Sequence, residues 1–253
     1  MRIALITGAS SGIGSWFALY TAVYRRHIDQ LWLVGRSDRR LRAVAKKVTK
    51  RSGIPCRLLP ADLSKEQELE SIEKILAQAE PEICLLINSA GYGMMGEFKR
   101  ISRQELAGMV RLNCEALTSL ISICIPYMPH KSKIINVASA AAFMPQSEFA
   151  VYAATKSYVL SLSRALRKEL KPREITVTAV CPGCIDTPFF KRAEKYQKMK
   201  PYKKKFMARP QAVVQKAMLD ADQGKTVSVY GLPMQLLYLA SKLLPDSILR
   251  LFY

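Results

Sequence analysis

Short apolar segments recur along the sequence, and longer amphipathic segments separate them. The apolar runs have the length of β-strands and cover residues 3–7, 31–34, 56–59, 83–88, 134–138, 175–180 and 226–229. The segments between them are long enough for helices, at 12–26, 38–51, 65–79, 102–125, 149–170 and 209–223. Strands that are apolar throughout are typical of a parallel sheet buried on both faces. The pattern therefore predicts an α/β fold, with one doubly wound parallel sheet of about seven strands and helices on both faces.

The charge of the chain constrains its class. The formal net charge is +19, yet 49% of the 253 residues are apolar, which excludes a disordered polycation. No linker or repeat divides the sequence, so we expect residues 1–253 to form a single domain. The excess of cations lies mainly in two runs, at 36–51 and 191–209. Such runs favour anionic partners, although a solvated helix face is the simpler interpretation of either run alone.

The cysteines and histidines argue against disulfides and metals. Six cysteines are too few for a disulfide framework in a chain of this length, and they read as small buried residues in a reducing compartment. The two histidines have no Cys or acidic cluster around them, so no metal site is expected. No signal segment precedes the first apolar run, and no uninterrupted apolar stretch reaches the about 18–20 residues of a membrane span. We therefore expect a cytoplasmic protein.

Two segments depart from the alternation. Residues 187–208 combine cations with aromatic side chains and follow a predicted strand. Because ligands of a doubly wound sheet bind outside the carboxyl ends of its strands, this segment is a candidate substrate lid. The tail at 232–253 is too apolar to stay bare in a soluble monomer. It is expected to close over the lid, to pack between subunits or to lie on an anionic bilayer, and ordinary packing within the subunit is equally compatible with it.

A glycine-rich turn follows the first predicted strand. Gly8, Gly12 and Gly14 lie between that strand and the next predicted helix, in a GxxxGxG spacing. Glycines at such a turn let the backbone approach a pyrophosphate, whose charge the helix N-terminus stabilises. The turn therefore indicates a dinucleotide site.

With this turn the sequence resembles the short-chain dehydrogenase/reductase family, and the match continues along almost the whole chain. The Asn-Asn-Ala-Gly stretch of that family is matched by residues 88–91, where Ser89 replaces the more usual Asn. The resemblance implies a Rossmann-type fold, an NAD(P)-dependent oxidoreductase and a homo-oligomer, either a dimer or a tetramer. It places the four catalytic residues at Asn113, Ser139, Tyr152 and Lys156. It implies cofactor contacts from Gly8, Ser10, Ser11, Gly12, Ile13, Gly14, Asp62, Leu63, Asn88, Ala90, Gly91, Tyr152, Lys156, Pro182, Gly183, Ile185 and Thr187.

The chemistry of two of these residues also follows from their spacing. Tyr152 and Lys156 are four apart in a predicted helix, so their side chains share one face. A phenol has a reference pKa of about 10, and a nearby ammonium, aided by the charge of an oxidised nicotinamide, would lower it. Tyr152 is then the acid in carbonyl reduction and the base in alcohol oxidation. Ser139 would donate a hydrogen bond to the substrate oxygen, and the resemblance gives Asn113 a proton-relaying water.

The end of the second predicted strand bears on the choice of cofactor. The sequence there is Leu33-Val34-Gly35-Arg36-Ser37, without the acid that would bind the ribose of NAD. Arg36 can pair with a 2′-phosphate, and Ser37 adds a hydroxyl donor. We therefore expect NADP(H) to be preferred, with NAD(H) as the alternative.

The predicted function is reversible carbonyl reduction and secondary alcohol oxidation by hydride transfer. The aromatic lid favours a small hydrophobic substrate that is steroid-, bile-acid- or lipid-like, with or without an anionic group. The alternative is a nucleic-acid- or anionic-membrane-binding protein, or a cofactor-bound regulator, without turnover. The four-residue catalytic set favours the enzyme, so nucleic acid is not expected as a partner. The Cys181-Pro-Gly-Cys184 stretch is interpreted as a loop with incidental cysteines rather than a redox site.

Overall fold

A seven-stranded parallel sheet lies at the centre of the computed structural model, which describes residues 1–25, 27–199 and 207–244. The strand order is β3-β2-β1-β4-β5-β6-β7, and every pairing is parallel. The strands are β1 (Arg2–Thr7), β2 (Gln30–Gly35), β3 (Cys56–Pro60), β4 (Glu82–Asn88), β5 (Lys133–Val137), β6 (Thr176–Val180) and β7 (Val227–Ser228). The predicted doubly wound parallel sheet is confirmed.

Helices cover both faces of this sheet. They are α1 (Gly12–Tyr24), α2 (Asp38–Ser52), α3 (Glu66–Ala79), α4 (Arg103–Val110), α5 (Ala116–Cys124), α6 (Ala150–Glu169), α7 (Phe189–Ala193), α8 (Pro210–Asp222) and α9 (Leu232–Leu243). The prediction of one regular helix over 102–125 is wrong in detail, because Arg111–Glu115 forms a π-helical turn between α4 and α5. Such turns insert an extra residue into a helix and are often found at functional sites.

The two faces of the sheet have separate cores. Buried residues of α3, α5 and α6 pack on one face, and those of α1, α2 and α8 pack on the other. Along β1, Ile3 and Leu5 belong to the first core, whereas Ala4 and Ile6 belong to the second. Since neighbouring side chains of a strand point to opposite faces, both sets must be apolar. This explains why the strand segments show no polar alternation.

The point where the strand order reverses lies between β1 and β4. Thr7 ends β1, and its Oγ1 accepts hydrogen bonds from the N–H groups of Ser89 and Ala90, at 3.0 and 3.1 Å. These bonds tie the glycine turn after β1 to the loop after β4. A doubly wound sheet binds its ligands at this kind of position.

The helical stretch Arg103–Tyr127 has the length and the apolar composition of a membrane span. Leu117, Leu120 and Ile121 of this stretch are buried in the core of the first face. Packing against the sheet therefore accounts for these three apolar side chains.

The lid and the tail are described in part. In the predicted lid at 187–208, α7 and the residues up to Met199 are described, whereas 200–206 lie outside the described residues. In the predicted tail at 232–253, α9 is described and 245–253 lie outside. The last strand is shorter than the predicted 226–229, since only Val227 and Ser228 pair with β6.

Candidate active site

The glycine turn is packed against the neighbouring loops. Gly8 has a φ of +63°, and a Cβ placed on it would lie 2.8 Å from the carbonyl oxygen of Ser89. A Cβ on Gly14 would lie 2.3 Å from the carbonyl oxygen of Gly8. Gly12 has a φ of +55° and faces Thr187, and a Cβ placed on Gly12 would lie 3.6 Å from the Cβ of Thr187. The turn thus lies against main-chain groups of the loop after β4 and against the side chain of Thr187, and side chains are excluded from Gly8 and Gly14.

The N-terminus of α1 is open to an anion. Ser11 stands at the N-cap position without a side-chain capping bond, and the first turn contains no acidic residue. Helix N–H groups at such an end favour negative charge. Ser10 packs against Gly35 at the end of β2, and Ile13 packs on the core of the second face. A pyrophosphate therefore fits the chemistry of this turn.

A buried chain of amides runs behind the loop after β4. Asn88 Nδ2 donates to Asn136 Oδ1 at 2.9 Å, and Asn136 Nδ2 donates to Ser163 Oγ at 3.0 Å. Within the described residues, Asn88 Oδ1 is buried without a hydrogen-bond partner, which leaves an acceptor for a ligand hydroxyl. Sequence reasoning missed Asn136 and Ser163. The signal for Asn136 was a polar residue inside an apolar strand.

Tyr152 lies in the first turn of α6 with its ring enclosed by aromatic side chains. The ring of Phe149 stacks on it at 4.3 Å between centroids, and that of Phe189 lies 5.5 Å away at 55°. Burial raises the pKa of Tyr152 to about 12, although a side-chain hydrogen bond with Ser139 lowers it. In the protein alone, loss of hydration thus outweighs the hydrogen bond from Ser139. The expected lowering requires the charge of an oxidised nicotinamide in addition to Lys156, and it stays a prediction.

Lys156 is buried one turn further along α6. Its Nζ donates to the carbonyl oxygen of Val137 at 2.8 Å and lies 5.7 Å from the centre of the Tyr152 ring. Burial lowers the pKa of Lys156 to about 8. A Cβ on Gly91 would lie 3.4 Å from this Nζ, so the loop after β4 closes directly over the amine. The predicted adjacency of Tyr152 and Lys156 agrees with these positions.

Asn113 lies in the π-helical turn and is buried. Its Oδ1 accepts from Tyr92 N at 3.1 Å, and its Nδ2 donates to Tyr92 O at 2.9 Å and to Thr155 Oγ1 at 3.0 Å. Both N–H groups of the amide are thus used, and a relay water would meet only oxygen atoms of Asn113. The side chain holds the loop after Gly91 against α6. Sequence reasoning missed Tyr92 and Thr155, which have no local signal.

Ser139 follows β5 and faces the Pro182-Gly183 turn. Its Oγ accepts from Ala141 N at 3.1 Å, and the adjacent Ala140 N donates to Pro182 O at 2.8 Å. A Cβ on Gly183 would lie 2.9 Å from Met234 Sδ of α9, so α9 covers this turn. Ile185 is buried and forms an isolated parallel bridge with Ala208.

The end of β2 lies beside the loop after β3. Arg36 is exposed, and Ser37 Oγ accepts from Arg40 N at 3.4 Å, which caps α2. Burial raises the pKa of Asp62, but hydrogen bonds from Ser64 and the charge of Arg36 outweigh it, so the net pKa is lowered. Leu63 is buried in the core of the first face. Arg36 is thus close enough to affect Asp62 while its side chain stays open to a ligand.

The two cysteines of the Pro-Gly turn are not arranged for redox chemistry. Cys181 is fully buried, and burial raises the pKa of its thiol to about 12. Cys184 Sγ contacts Met199 Sδ at 3.9 Å. A reactive cysteine needs a lowered pKa and access to solvent, and Cys181 has neither.

Together these residues form one site. The hydroxyls of Ser139 and Tyr152 meet at the carboxyl edge of the sheet, with the amine of Lys156 behind the phenol. Two hydroxyl donors converging on one point can hold a carbonyl oxygen, and the phenol can transfer a proton to it. The glycine turn and the buried, unpartnered amide oxygen of Asn88 are the groups that fit a dinucleotide.

Comparisons with known proteins agree with this chemistry. A family model described as short chain dehydrogenase matches residues 2–198. An uncharacterized oxidoreductase of Staphylococcus epidermidis is 30% identical over 189 residues, which are 74% of this chain and 79% of that protein. A short-chain dehydrogenase from Sphingobium yanoikuyae, solved in complex with NADPH, is 31% identical, with a TM-score of 0.82 over 100% of this chain and 95% of that one. A bulky-bulky ketone specific alcohol dehydrogenase from Comamonas testosteroni is 28% identical, with a TM-score of 0.76 over 96% and 92% of the two chains.

Proposed function

We propose that this chain, which belongs to the short-chain dehydrogenase family, uses NADP(H) to interconvert a bulky hydrophobic ketone and its secondary alcohol. Its membership of the family makes it an oxidoreductase that acts on alcohol and carbonyl groups. The observation that carries the proposal is the meeting of Ser139 and Tyr152 beside Lys156, inside an aromatic enclosure. The bound nicotinamide supplies or accepts a hydride at the substrate carbon.

The residues of the chain supply the proton and the orientation. Ser139 and Tyr152 hold the carbonyl oxygen, and the phenol of Tyr152 gives its proton to that oxygen during reduction. Because the pKa of Tyr152 is about 12 in the protein alone, the phenol is protonated and ready for reduction. Oxidation needs the phenolate, so the cationic cofactor and Lys156 together would have to lower that pKa. The protein alone is therefore in the protonation state that reduction requires.

The cofactor preference rests on Arg36. NADPH is bound by the relative from Sphingobium yanoikuyae, and Arg36 of this chain is exposed at the corner where a 2′-phosphate would be placed. A guanidinium binds phosphate through paired, charge-assisted hydrogen bonds. NAD(H) is the alternative cofactor, since Asp62 and the glycine turn would bind either one.

The substrate class rests on the apolar surroundings of Tyr152. A cavity of about 270 Å³ borders the same cluster, with Met94, Ile101, Leu106, Met109 and Val151 in its lining. The relative from Comamonas testosteroni acts on bulky ketones. A steroid-, bile-acid- or lipid-like ketone suits these surroundings, whereas an anionic group has less support. Arg192 and Lys195, two cations of the lid, are engaged by Tyr92 and Glu105 within the protein.

We also propose a homo-oligomer, either a dimer or a tetramer. Along α9, Leu232, Leu236, Leu239 and Leu243 are 66%, 59%, 52% and 71% exposed, at a spacing that puts them on one face. An apolar stripe of this kind is usually covered by a partner. A second subunit and an anionic bilayer are the two candidate partners. Sedimentation of the protein alone and with anionic phospholipid vesicles distinguishes these two partners.

We propose that the protein is located in the cytoplasm. Its six cysteines are all free thiols, which fits a reducing compartment, and cell fractionation would test this location.

One assay tests the enzyme itself. NADPH oxidation is measured with ketones of increasing bulk, for the wild type and for Tyr152→Phe, which keeps the ring but removes the hydroxyl. We expect wild-type turnover to rise with bulk and the variant to lose roughly 10²- to 10⁴-fold in turnover. Binding of NADPH should persist in the variant, because the ring of Tyr152 and the amine of Lys156 remain. Wild type that turns over none of the ketones, or a variant as active as wild type, would refute the proposal.

A further inference from the structure

Glu105, near the start of α4, is held by its own helix and by the loop after β4. Its N–H donates to Ser102 Oγ at 3.4 Å, and its carbonyl oxygen accepts from Tyr92 Oη at 3.1 Å. Ser102 Oγ is also 3.4 Å from Glu105 Oε2. The spacing of Ser102 and Glu105 is that of a capping box, which gives the glutamate only a local role at the helix start.

The carboxylate of Glu105 makes two further bonds with a distant segment. This segment is residues 189–199, the described part of the lid that begins with α7, and we call it the strap. It contains Lys195 and Tyr196. Tyr196 Oη donates to Glu105 Oε2 at 2.5 Å, and Lys195 Nζ donates to Glu105 Oε1 at 3.1 Å. Only 18% of the Glu105 side chain is exposed, so both charge-assisted bonds are partly shielded from water. Burial raises the pKa of Glu105, but the bonds from Tyr196 and Lys195 outweigh it and lower the net pKa.

Two further hydrogen bonds join the strap to the loop after β4 and to the residues just before α6. Met95 N donates to Ala193 O at 2.8 Å, and Gln197 Nε2 donates to Glu148 Oε2 at 2.5 Å. The guanidinium of Arg192 lies 3.5 Å from the centre of the Tyr92 ring. Glu105 differs from these partners because it holds two consecutive strap side chains and also fixes Tyr92 through its carbonyl oxygen.

The other end of the strap lies over the reactive phenol. Phe189 contacts the Tyr152 ring, and Phe190 meets Phe189 edge-on at 5.2 Å. The position of the strap therefore sets the position of the Phe189 and Phe190 rings, which form an aromatic wall beside Tyr152. A substrate whose carbonyl reaches Tyr152 must pack its apolar part against this wall.

We propose that Glu105 is a positioning residue for the substrate, which holds the strap through Lys195 and Tyr196 and thereby keeps Phe189 against Tyr152. This inference rests on the proposed function. The carboxylate of Glu105 bonds to the strap and to its own helix rather than to the reacting groups, so it acts on substrate packing and leaves proton transfer to other residues. Its loss should weaken binding of bulky ketones and leave the chemical step intact.

Hydrogen–deuterium exchange tests the hold on the strap without any turnover. The variants are Glu105→Ala, Glu105→Gln and the control Glu66→Ala, which removes an exposed first-turn glutamate of α3. We expect faster exchange in peptides covering 189–199 for Glu105→Ala. Glu105→Gln should exchange at an intermediate rate, because its amide oxygen still accepts from Tyr196. Exchange in this segment that matches Glu66→Ala would overturn the proposal.

Steady-state kinetics test the effect on the substrate. Glu105→Ala should raise the KM for a bulky ketone about tenfold, equivalent to about 1.4 kcal/mol, while kcat stays within about twofold. The affinity for NADPH should not change. Tyr196→Phe, which removes a single hydroxyl, should move KM in the same direction by less. A fall in kcat at constant KM would overturn the proposal. Absence of wild-type turnover would refute the proposed function, and the exchange result would still decide whether Glu105 holds the strap.

Discussion

Lys156 Nζ donates a hydrogen bond of 2.8 Å to the carbonyl oxygen of Val137, the last residue of β5. This bond fixes the amine behind Tyr152 in a place where burial lowers the pKa of Lys156 to about 8. The amine is charged below that pH and neutral above it. Tyr152, with a pKa of about 12, stays protonated across the same range.

The pH dependence of reduction should therefore report Lys156. We expect kcat/KM for ketone reduction to fall as the pH rises through about 8, because the charge that supports proton transfer is lost. A profile measured across this range checks the fall. In Lys156→Arg the charge persists, so whatever activity remains should not fall near that pH. A wild-type profile that stays flat would contradict this assignment.

Exchange of Arg36 should change the choice of cofactor. Arg36→Asp replaces an exposed cation by an anion that repels the 2′-phosphate. Loss of a charge-assisted contact worth about 1.5–3 kcal/mol predicts NADPH binding weaker by roughly 10- to 150-fold, with NADH binding unchanged or improved. Fluorescence titration with both cofactors measures this. Arg39→Asp, at an exposed position of α2, is the control for charge alone, and equal losses for the two cofactors would reject the assignment.

Alanine substitutions at Gly8 and Gly53, which have similar φ angles, distinguish the cost of backbone strain from the cost of a steric clash. Gly8 has a φ of +63° and Gly53 a φ of +73°, so alanine costs about 1 kcal/mol of conformational strain at either position. Among the described residues, no atom lies within 4 Å of where a Cβ on Gly53 would stand, whereas Gly8 faces the carbonyl oxygen of Ser89. Gly53→Ala should lower the free energy of unfolding by that amount and keep NADPH affinity. Gly8→Ala should lose more stability and also NADPH binding, as denaturant unfolding and titration would show.

Asp220 should be important for stability. Its buried carboxylate accepts from Lys216 at 2.5 Å, and from Lys225 and Ser228 at 2.8 Å each, which joins α8 to β7. Burial raises the pKa of Asp220, but these three donors outweigh it and lower the net pKa. The stabilisation is therefore present above the unfolded-state pKa and is lost as the pH falls through the lower, folded-state value.

Asp220→Asn tests this at two pH values. We expect about 3 kcal/mol less stability near neutral pH, at the low end for a broken buried ion pair because both lysines keep contact with water. The difference from wild type should shrink below about pH 4. Asp222→Asn, at a side chain that is 40% exposed, should cost less than about 1 kcal/mol in urea unfolding. Equal losses for the two variants would show that burial of Asp220 contributes nothing.

The sheet was predictable because both faces of each strand must be apolar, and Ile3 to Ile6 show this within four residues. The order of the elements and the glycine turn were equally readable. The π-helical turn at Asn113 was not, since it depends on how α4 and α5 meet α6 and leaves no sequence pattern.

The candidate site also combines features that the sequence predicts with features that it does not. Tyr152 and Lys156 could be paired from their spacing, but the sign of the Tyr152 pKa shift depends on enclosure by Phe149 and Phe189, one of which comes from a distant segment. Glu105 has no local sequence signal beyond its capping-box spacing with Ser102, and its partners on the strap are about 90 residues away. Contacts between distant segments are fixed by packing and are not encoded in any local pattern.

The glycine turn also limits how such a protein can evolve. A Cβ added to Gly8 would meet main-chain atoms of Ser89, and one added to Gly14 would meet the main chain of Gly8, so no side chain can be introduced there without moving the backbone. The corner at Arg36 is exposed and free of that restriction. A descendant that changed its cofactor would therefore accumulate substitutions at this corner while the turn stayed the same, and the two regions would diverge at different rates.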